Sequence, residues 1–280
     1  MKITAYTRPL GLIGSPVTHS KSPQMLNKVC EILDIPATYL AYAVEPARLQ
    51  EAVMGMKALG FIGFNVTIPH KVAIIPFLDE LDDTAKEIGA VNTVVNDNGR
   101  LVGFNTDGVG YLRSLQEETS FSIEDKSITI IGAGGAARAV SITLAKSGAK
   151  EIIIANRTLE KAAELADIAN KWTKATAVPL EAIKPSIAGS QLLVNTTSIG
   201  MSPNIDESPI LMNFLHRDLL VSDLIYRPRE TKLLQYAKSV GALTHGGLGM
   251  LLYQAAVAVE HWFNQSPPVN QMRAILENED

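Results

Sequence analysis

The stretch SITIIGAGGAARAVSITLAKSG, residues 127–148, opens as a short apolar run and continues with helical spacing. Between the two lies a glycine turn. Gly132, Gly134 and Ala137 fall in the G-x-G-x-x-G/A pattern. Gly132 permits the tight turn, Gly134 lets the backbone approach a pyrophosphate, and Ala137 lets the helix sit close to the strand. The amides at the start of that helix then face the anion. A glycine pattern alone is only a turn. Here the strand, the helix and a second strand, EIIIANR, arrive in the order that a dinucleotide-binding unit requires.

The end of that second strand bears on the cofactor. An NAD site normally offers Asp or Glu to the ribose hydroxyls there, whereas this chain has Asn156, Arg157 and Thr158. A guanidinium pairs with a 2′-phosphate and stacks on adenine, and Lys161 adds charge nearby, so NADP is expected rather than NAD.

Further strand candidates, ATAVPL, QLLVNTT, LLVSDLI and ALTHG, continue the unit. Ahead of it, LGLIG, SPQMLNKVCEIL, ATYLAYAV, PARLQEAVMGMKAL and FIGFNVT read as strand, helix, strand, helix, strand. AVNTVV at 90–95 and RLVGFNT at 100–106 are strands around the turn NDNG, which predicts an α/β sheet with a hairpin at one edge. In SPQML, Ser22 is the expected helix N-cap and Pro23 its first residue. The last helices, MLLYQAAVAVEHWF and VNQMRAIL, are apolar on more than one side and are expected to return to the first domain.

At 280 residues, 46% hydrophobic and 19% charged, the chain has the composition of a globular protein with room for two domains. The formal net charge of −4 and the absence of a long basic run argue against nucleic-acid or membrane-surface binding. Cys30 is alone and shares a helical face with Met25, Leu26, Val29 and Leu33, which makes it a packing residue and fits a reducing, cytoplasmic compartment. No stretch reads as a signal sequence or a membrane span. The five histidines lack metal-ligand spacing, so no metal is expected.

NVTIPHK, residues 65–71, is a buried-strand pattern that stops at a proline and then delivers a lysine. GAVNTVV and GFNTDGVG likewise place Asn, Thr and Asp where an apolar strand runs out, the edge at which open α/β sheets hold ligands. Asn65, Thr67, Lys71, Asn92 and Asp107 are therefore candidates to converge, although Asn105 and Thr106 suit turn chemistry equally well. Ser20 and Ser22 at a helix start could hold a carboxylate, with capping as the simpler account. Gln254 is an amide inside an apolar run, where it serves either a ligand or a structural hydrogen bond.

These segments, SPVTHSKSP, NVTIPHK, GAVNT, GFNTDGVG, GAGGAARA, NRT, TTSIGM and GLGMLLYQA, follow one another as they do in the shikimate dehydrogenase family, which the chain resembles over nearly its whole length. The resemblance implies a two-domain α/β protein. Residues 1–109, completed by helices 247–280, would form the substrate domain, and 110–246 a Rossmann-like doubly wound NADP domain, with a cleft where they meet. It implies reversible reduction of 3-dehydroshikimate to shikimate, and a homodimer is an expectation from the same resemblance. Ser20 and Ser22 would bind the carboxylate; Asn65, Thr67, Asn92, Asp107, Tyr226 and Gln254 would contact ring hydroxyls or the reacting oxygen. Lys71 and Asp107 would be the catalytic pair. The cofactor set would comprise Gly132, Ala133, Gly134, Gly135, Ala136, Asn156, Arg157, Thr158, Lys161, Thr197, Leu224, Gly247, Met250 and Asp83. One departure stands out: the family's Tyr-Asn-Pro stretch reads Tyr226-Arg227-Pro228 here. The alternatives are a quinate-using or NAD-preferring relative and a non-catalytic NADP-binding regulator. Ser22 favours shikimate, since quinate-using relatives tend to carry Thr there, and the presence of both Lys71 and Asp107 speaks against a regulator.

Overall fold

The computed structural model describes residues 3–278. The chain forms two compact units, one made of the residues up to Thr106 with those from Leu252 onward, the other running from Asp107 to Leu251.

In the first unit the strands β1 (Arg8–Gly14), β2 (Ala37–Ala43), β3 (Gly63–Val66), β4 (Glu80–Leu81), β5 (Thr93–Asp97) and β6 (Arg100–Phe104) are ordered β2-β1-β3-β5-β6-β4. β1 lies parallel to β2 and β3. The amphipathic helices Ser22–Ile32 and Leu49–Ala58 make the crossovers that parallel pairing needs. Cys30 is buried among their apolar residues, and burial pushes its thiol up to about 11, consistent with packing.

From β3 onward the sheet turns antiparallel through β5 and β6. Asp97 pairs with Arg100, so the turn is the two residues Asn98 and Gly99, whose φ angles of 52° and 89° suit a tight hairpin. The strand thus starts at Thr93, later than the apolar pattern suggests, and runs through Asp97. The hairpin is also not at the edge. Glu80–Leu81 pairs parallel to β6 and covers it, a strand too short to leave a periodic signal.

The helices Leu248–Phe263 and Val269–Glu277 end the described chain. Trp262 lies over β3, donating from Nε1 to the Val94 carbonyl at 3.0 Å. A Cβ on Gly63 would stand 2.3 Å from that indole nitrogen, so the ring occupies the place of a side chain.

The second unit holds β7 (Ser127–Ile131), β8 (Glu151–Asn156), β9 (Lys174–Pro179), β10 (Leu192–Asn195), β11 (Leu220–Asp223) and β12 (Leu243–His245) in the order β12-β11-β10-β7-β8-β9, all parallel. β7 and β10 are buried along their whole length, which is why they read as unbroken apolar runs. The chain leaves β7 toward β8 and β9 and returns on the other side at β10. That reversal marks the crevice where doubly wound sheets bind dinucleotides.

Candidate functional site

In the first unit the parallel and antiparallel strands bring several polar residues to one end of the sheet. The C-terminal ends of β1, β3 and β6 adjoin the N-terminal end of β5, as the pairings Ile13 with Val66, Asn65 with Thr93, and Thr93 with Phe104 require. The segments carrying Ser20, Ser22, Asn65, Thr67, Lys71, Asn92 and Thr106 all meet the sheet there.

Asn65 and Asn92 anchor the cluster, both buried. The Asn65 amide nitrogen donates to the Asn92 carbonyl at 3.2 Å and to Thr93 Oγ1 at 3.0 Å. A backbone carbonyl only accepts, so this fixes the amide and turns Asn65 Oδ1 toward Tyr39, whose hydroxyl donates to it at 2.7 Å. Burial raises the Tyr39 pKa and keeps it a neutral donor, with the nearby Ser22 hydroxyl pulling it back. Asn92 Oδ1 accepts the Thr106 amide at 2.8 Å, while its Nδ2 donates to Thr106 Oγ1 at 2.9 Å and to Gln254 Oε1 at 3.4 Å. Gln254 is therefore part of the lattice, and Thr106 is too. Asn105 instead donates to the Ala90 carbonyl at 2.9 Å.

Ser22 is not the helix cap. Lys21 holds that position, and the Ser20 hydroxyl accepts the Ser22 amide at 3.2 Å, because Ser22 is already the first helical residue. Its hydroxyl therefore does not cap the helix. Thr67 packs against the end of β1, where a Cβ on Gly14 would stand 2.3 Å from its methyl group. Half-buried Lys71 follows in the short helix His70–Ala73. That helix is pinned on both sides: the Lys71 carbonyl accepts the Val91 amide at 2.7 Å, and His70 Nε2 meets the Val44 carbonyl at 2.6 Å.

In the second unit, buried Asp107 opens the helix Asp107–Thr119, one residue after Thr106. The glycine turn is built from main chain. Gly132 has φ +111°, and a Cβ there would meet Thr196 Oγ1 at 2.4 Å, so only glycine fits. Gly134 is extended and caps the helix Gly135–Lys146; a Cβ on it would meet nothing within 4 Å. The protein itself does not demand glycine at 134, and the open space there leaves the helix start accessible to close approach by an anion. With Ala133, Gly135 and Ala136 around this helix start and Ala137 buried behind, these residues fit the pyrophosphate of a dinucleotide.

Asn156 donates to the Thr158 carbonyl at 2.9 Å and shapes the turn that exposes Arg157, with Lys161 exposed on the helix Leu159–Ala169. Arg157 borders a shallow pocket with Leu180, Ser208, Ile210 and Phe214. Past β10 and β11 lie Thr197, Leu224 and Tyr226, and Gly247 and Met250 follow β12. Burial raises the Tyr226 pKa and the neighbouring Arg227 guanidinium pulls it back. Arg227, where the family has Asn, is exposed, and its carbonyl accepts the Ser202 amide at 3.1 Å. Asp83 belongs to the first unit, where its exposed carboxylate pairs with Lys86 at 2.9 Å.

Tyr39 escaped the sequence reading, and Thr93, although it lies in GAVNTVV, was not singled out there. In ATYLAYAV a tyrosine looks like any core aromatic, and only the facing Asn65 gives its hydroxyl a role. Among the described residues, no helix is long and apolar enough to cross a membrane.

Residues 12–94 match the shikimate dehydrogenase substrate binding domain, 114–230 match shikimate/quinate 5-dehydrogenase, and 247–277 match the shikimate 5′-dehydrogenase C-terminal domain. The chain is 47% identical to the shikimate dehydrogenase (NADP(+)) of Geobacillus kaustophilus (strain HTA426), over 95% of this chain and 96% of that one. A crystal structure of a shikimate dehydrogenase in complex with NADP+ superimposes with a TM-score of 0.91 at 46% identity, covering 98% of this chain and 96% of that one. The shikimate 5-dehydrogenase from Listeria monocytogenes, in complex with shikimate and NAD, gives a TM-score of 0.91 at 40% identity over 99% and 98% of the two chains.

Proposed function

The chain belongs to the shikimate dehydrogenase family, and from that premise we propose that it interconverts 3-dehydroshikimate and shikimate with NADP as cofactor. The observation that carries this reading is the lattice of Asn65, Asn92, Thr106 and Gln254, gathered at the sheet end that Lys71 also leaves. Buried amides and hydroxyls held by several partners are fixed in orientation, and such a preorganised polar lattice suits a small polyhydroxylated ring. Ser20 and Ser22 take its carboxylate, and Thr67 and Tyr226 add contacts to the substrate.

When bound, NADPH supplies the hydride that reduces the ketone. Negative charge then builds on the carbonyl oxygen, and Lys71 gives that oxygen a proton. In the reverse direction the neutral amine takes the hydroxyl proton. Asp107 orients the ammonium and the hydroxyl; its attachment to Thr106, itself locked to Asn92, supports that role. The glycine turn from Gly132 to Ala136 holds the pyrophosphate, while Asn156, Arg157, Thr158 and Lys161 read the 2′-phosphate. Thr197, Leu224, Gly247 and Met250 hold the remainder. The substrate domain is the unit ending at Thr106 with its C-terminal helices, and the NADP domain is the other. The single, buried Cys30 fits a cytoplasmic location, and a homodimer is the assembly expected of the family.

The test is initial rates of cofactor reduction with shikimate and with quinate, each against NADP+ and NAD+. The expected result is the highest kcat/KM for shikimate with NADP+. A higher value for quinate or for NAD+ would assign a different substrate or cofactor, and no reduction with any pair would make the protein a binding module.

A further inference from the structure

Asp223 ends β11 with its side chain fully buried, and three donors converge on it. Asn195 Nδ2 and the Ile225 amide donate to Oδ1 at 3.0 and 3.1 Å, and the Thr231 hydroxyl donates to Oδ2 at 2.7 Å. No cation faces it. Burial pushes its carboxyl up to about 6, with only these three hydrogen bonds pulling it back. A buried, unpaired carboxylate is an expensive way to join strands, so what its donors hold in turn is informative.

Because Asn195 Nδ2 is committed to Asp223, its Oδ1 faces the other way and accepts both the amide and the hydroxyl of Thr197, at 3.0 and 2.7 Å. Ile225 lies between Leu224 and Tyr226, and its carbonyl accepts the Gly247 amide at 3.2 Å. Gly247 sits so tightly here that a Cβ would be 2.1 Å from the Leu224 carbonyl oxygen. Thr231 caps the helix Lys232–Ser239 by accepting the Leu234 amide. One carboxylate therefore fixes the segments after β10, β11 and β12. The two halves of a doubly wound sheet each take one half of the dinucleotide. With Arg157 beyond β8 on the adenosine half, the β10–β11 side takes the nicotinamide half.

We propose that Asp223 is the positioning residue for the nicotinamide half of the cofactor, acting through Asn195 on Thr197 and through the Ile225 amide on Leu224 and Gly247 without touching the cofactor itself. This rests on the reading of the NADP site given above.

The test compares dissociation constants, by calorimetry, for NADPH and for adenosine 2′,5′-bisphosphate, which has no nicotinamide. Asp223→Ala should weaken NADPH about tenfold, the cost of releasing a fixed hydrogen-bond hub, and leave the bisphosphate within about twofold. Asp223→Asn, which keeps the Oδ1 acceptor and can donate to Thr231 Oγ1, should restore NADPH binding to within about threefold of wild type. Should the alanine variant fail to fold, Thr231→Val, which removes one donor at nearly constant shape, should show the same selectivity with about a threefold loss. Equal weakening of both ligands, or unchanged NADPH binding, would overturn the proposal. Arg157→Ala serves as the control. It should weaken both ligands, and if it weakens neither, the placement of the nucleotide itself is wrong, independently of Asp223.

Discussion

Under the proposed function, the two units would recognise their ligands with opposite materials. The first uses side chains: amides and hydroxyls of Asn65, Asn92, Thr106 and Gln254 hold one another in place. The second would use main chain, a glycine turn that admits no side chain at Gly132 and leaves open space at Gly134. A side-chain lattice fails when a group is deleted, whereas a backbone cradle fails when a group is added. Sensitivity to substitution should therefore run in opposite directions across the molecule.

The strongest test is deletion in the first unit. Lys71→Ala should lower kcat by about 10²- to 10⁴-fold, the span of general acid–base catalysis, while KM for shikimate changes little. Steady-state kinetics decide this, and an unchanged kcat would remove Lys71 from the chemistry. The next is addition in the second unit. Gly132→Ala forces a Cβ onto Thr196 at φ +111°, and strain of about 1–3 kcal/mol should cost NADPH affinity about 10- to 100-fold and lower the melting temperature as well. Gly134→Ala, whose Cβ meets no protein atom, should weaken NADPH with no change in the melting temperature. If both variants melt alike, the cradle is not organised as described.

The smallest expected effect is on acid stability. His245 is held neutral by burial, lowered to about 4, with Ser222 Oγ at Nδ1 and Ser114 Oγ at Nε2. Unfolded histidine binds a proton near its ordinary 6.5 and the folded one resists. Its stabilising contribution is thus full above pH 6.5 and lost as pH falls toward 4. Asp223 runs the other way: raised from 3.8 to about 6, it favours the folded state below 3.8, and that contribution is lost as pH rises toward 6. Between about pH 4 and 6 the two oppose each other, so the native protein should show a shallow slope there. Asp223→Asn leaves histidine alone and should steepen the loss of stability on acidification toward about 1.4 kcal/mol per pH unit, measured by urea unfolding across this range. Equal slopes would show that these two groups do not titrate in opposition.

What could be read in the sequence divides along the same line. Backbone constraints leave strong traces: a glycine that must adopt positive φ has no substitute, so the turn at 132–137 and the NG hairpin were visible directly. The unbroken apolar runs of β7 and β10 were visible for a similar reason, being buried on both faces. Side-chain lattices leave weaker traces because their members are recognisable only in pairs. Asn65 and Asn92 stood out at strand ends, but Tyr39 looked like a core residue until its partner was known. Asp223 lay in plain view as a lone acid in LLVSDLI; the argument applied to Gln254, that a polar group in an apolar run must have a partner, would have found it. The capping role given to Ser22 failed because helix starts shift by a residue at little cost, and β4 was missed because two residues carry no period.

The indole of Trp262 resting on Gly63 has a consequence for biosynthesis. On the ribosome, everything up to Leu251 is made before Trp262, so the second unit has its complete sequence while the sheet of the first still lacks its cover. The usual order, in which the earlier segment of a nascent chain settles first, is thereby open to reversal, because the sheet translated first receives its indole cover only after the second unit's sequence is complete.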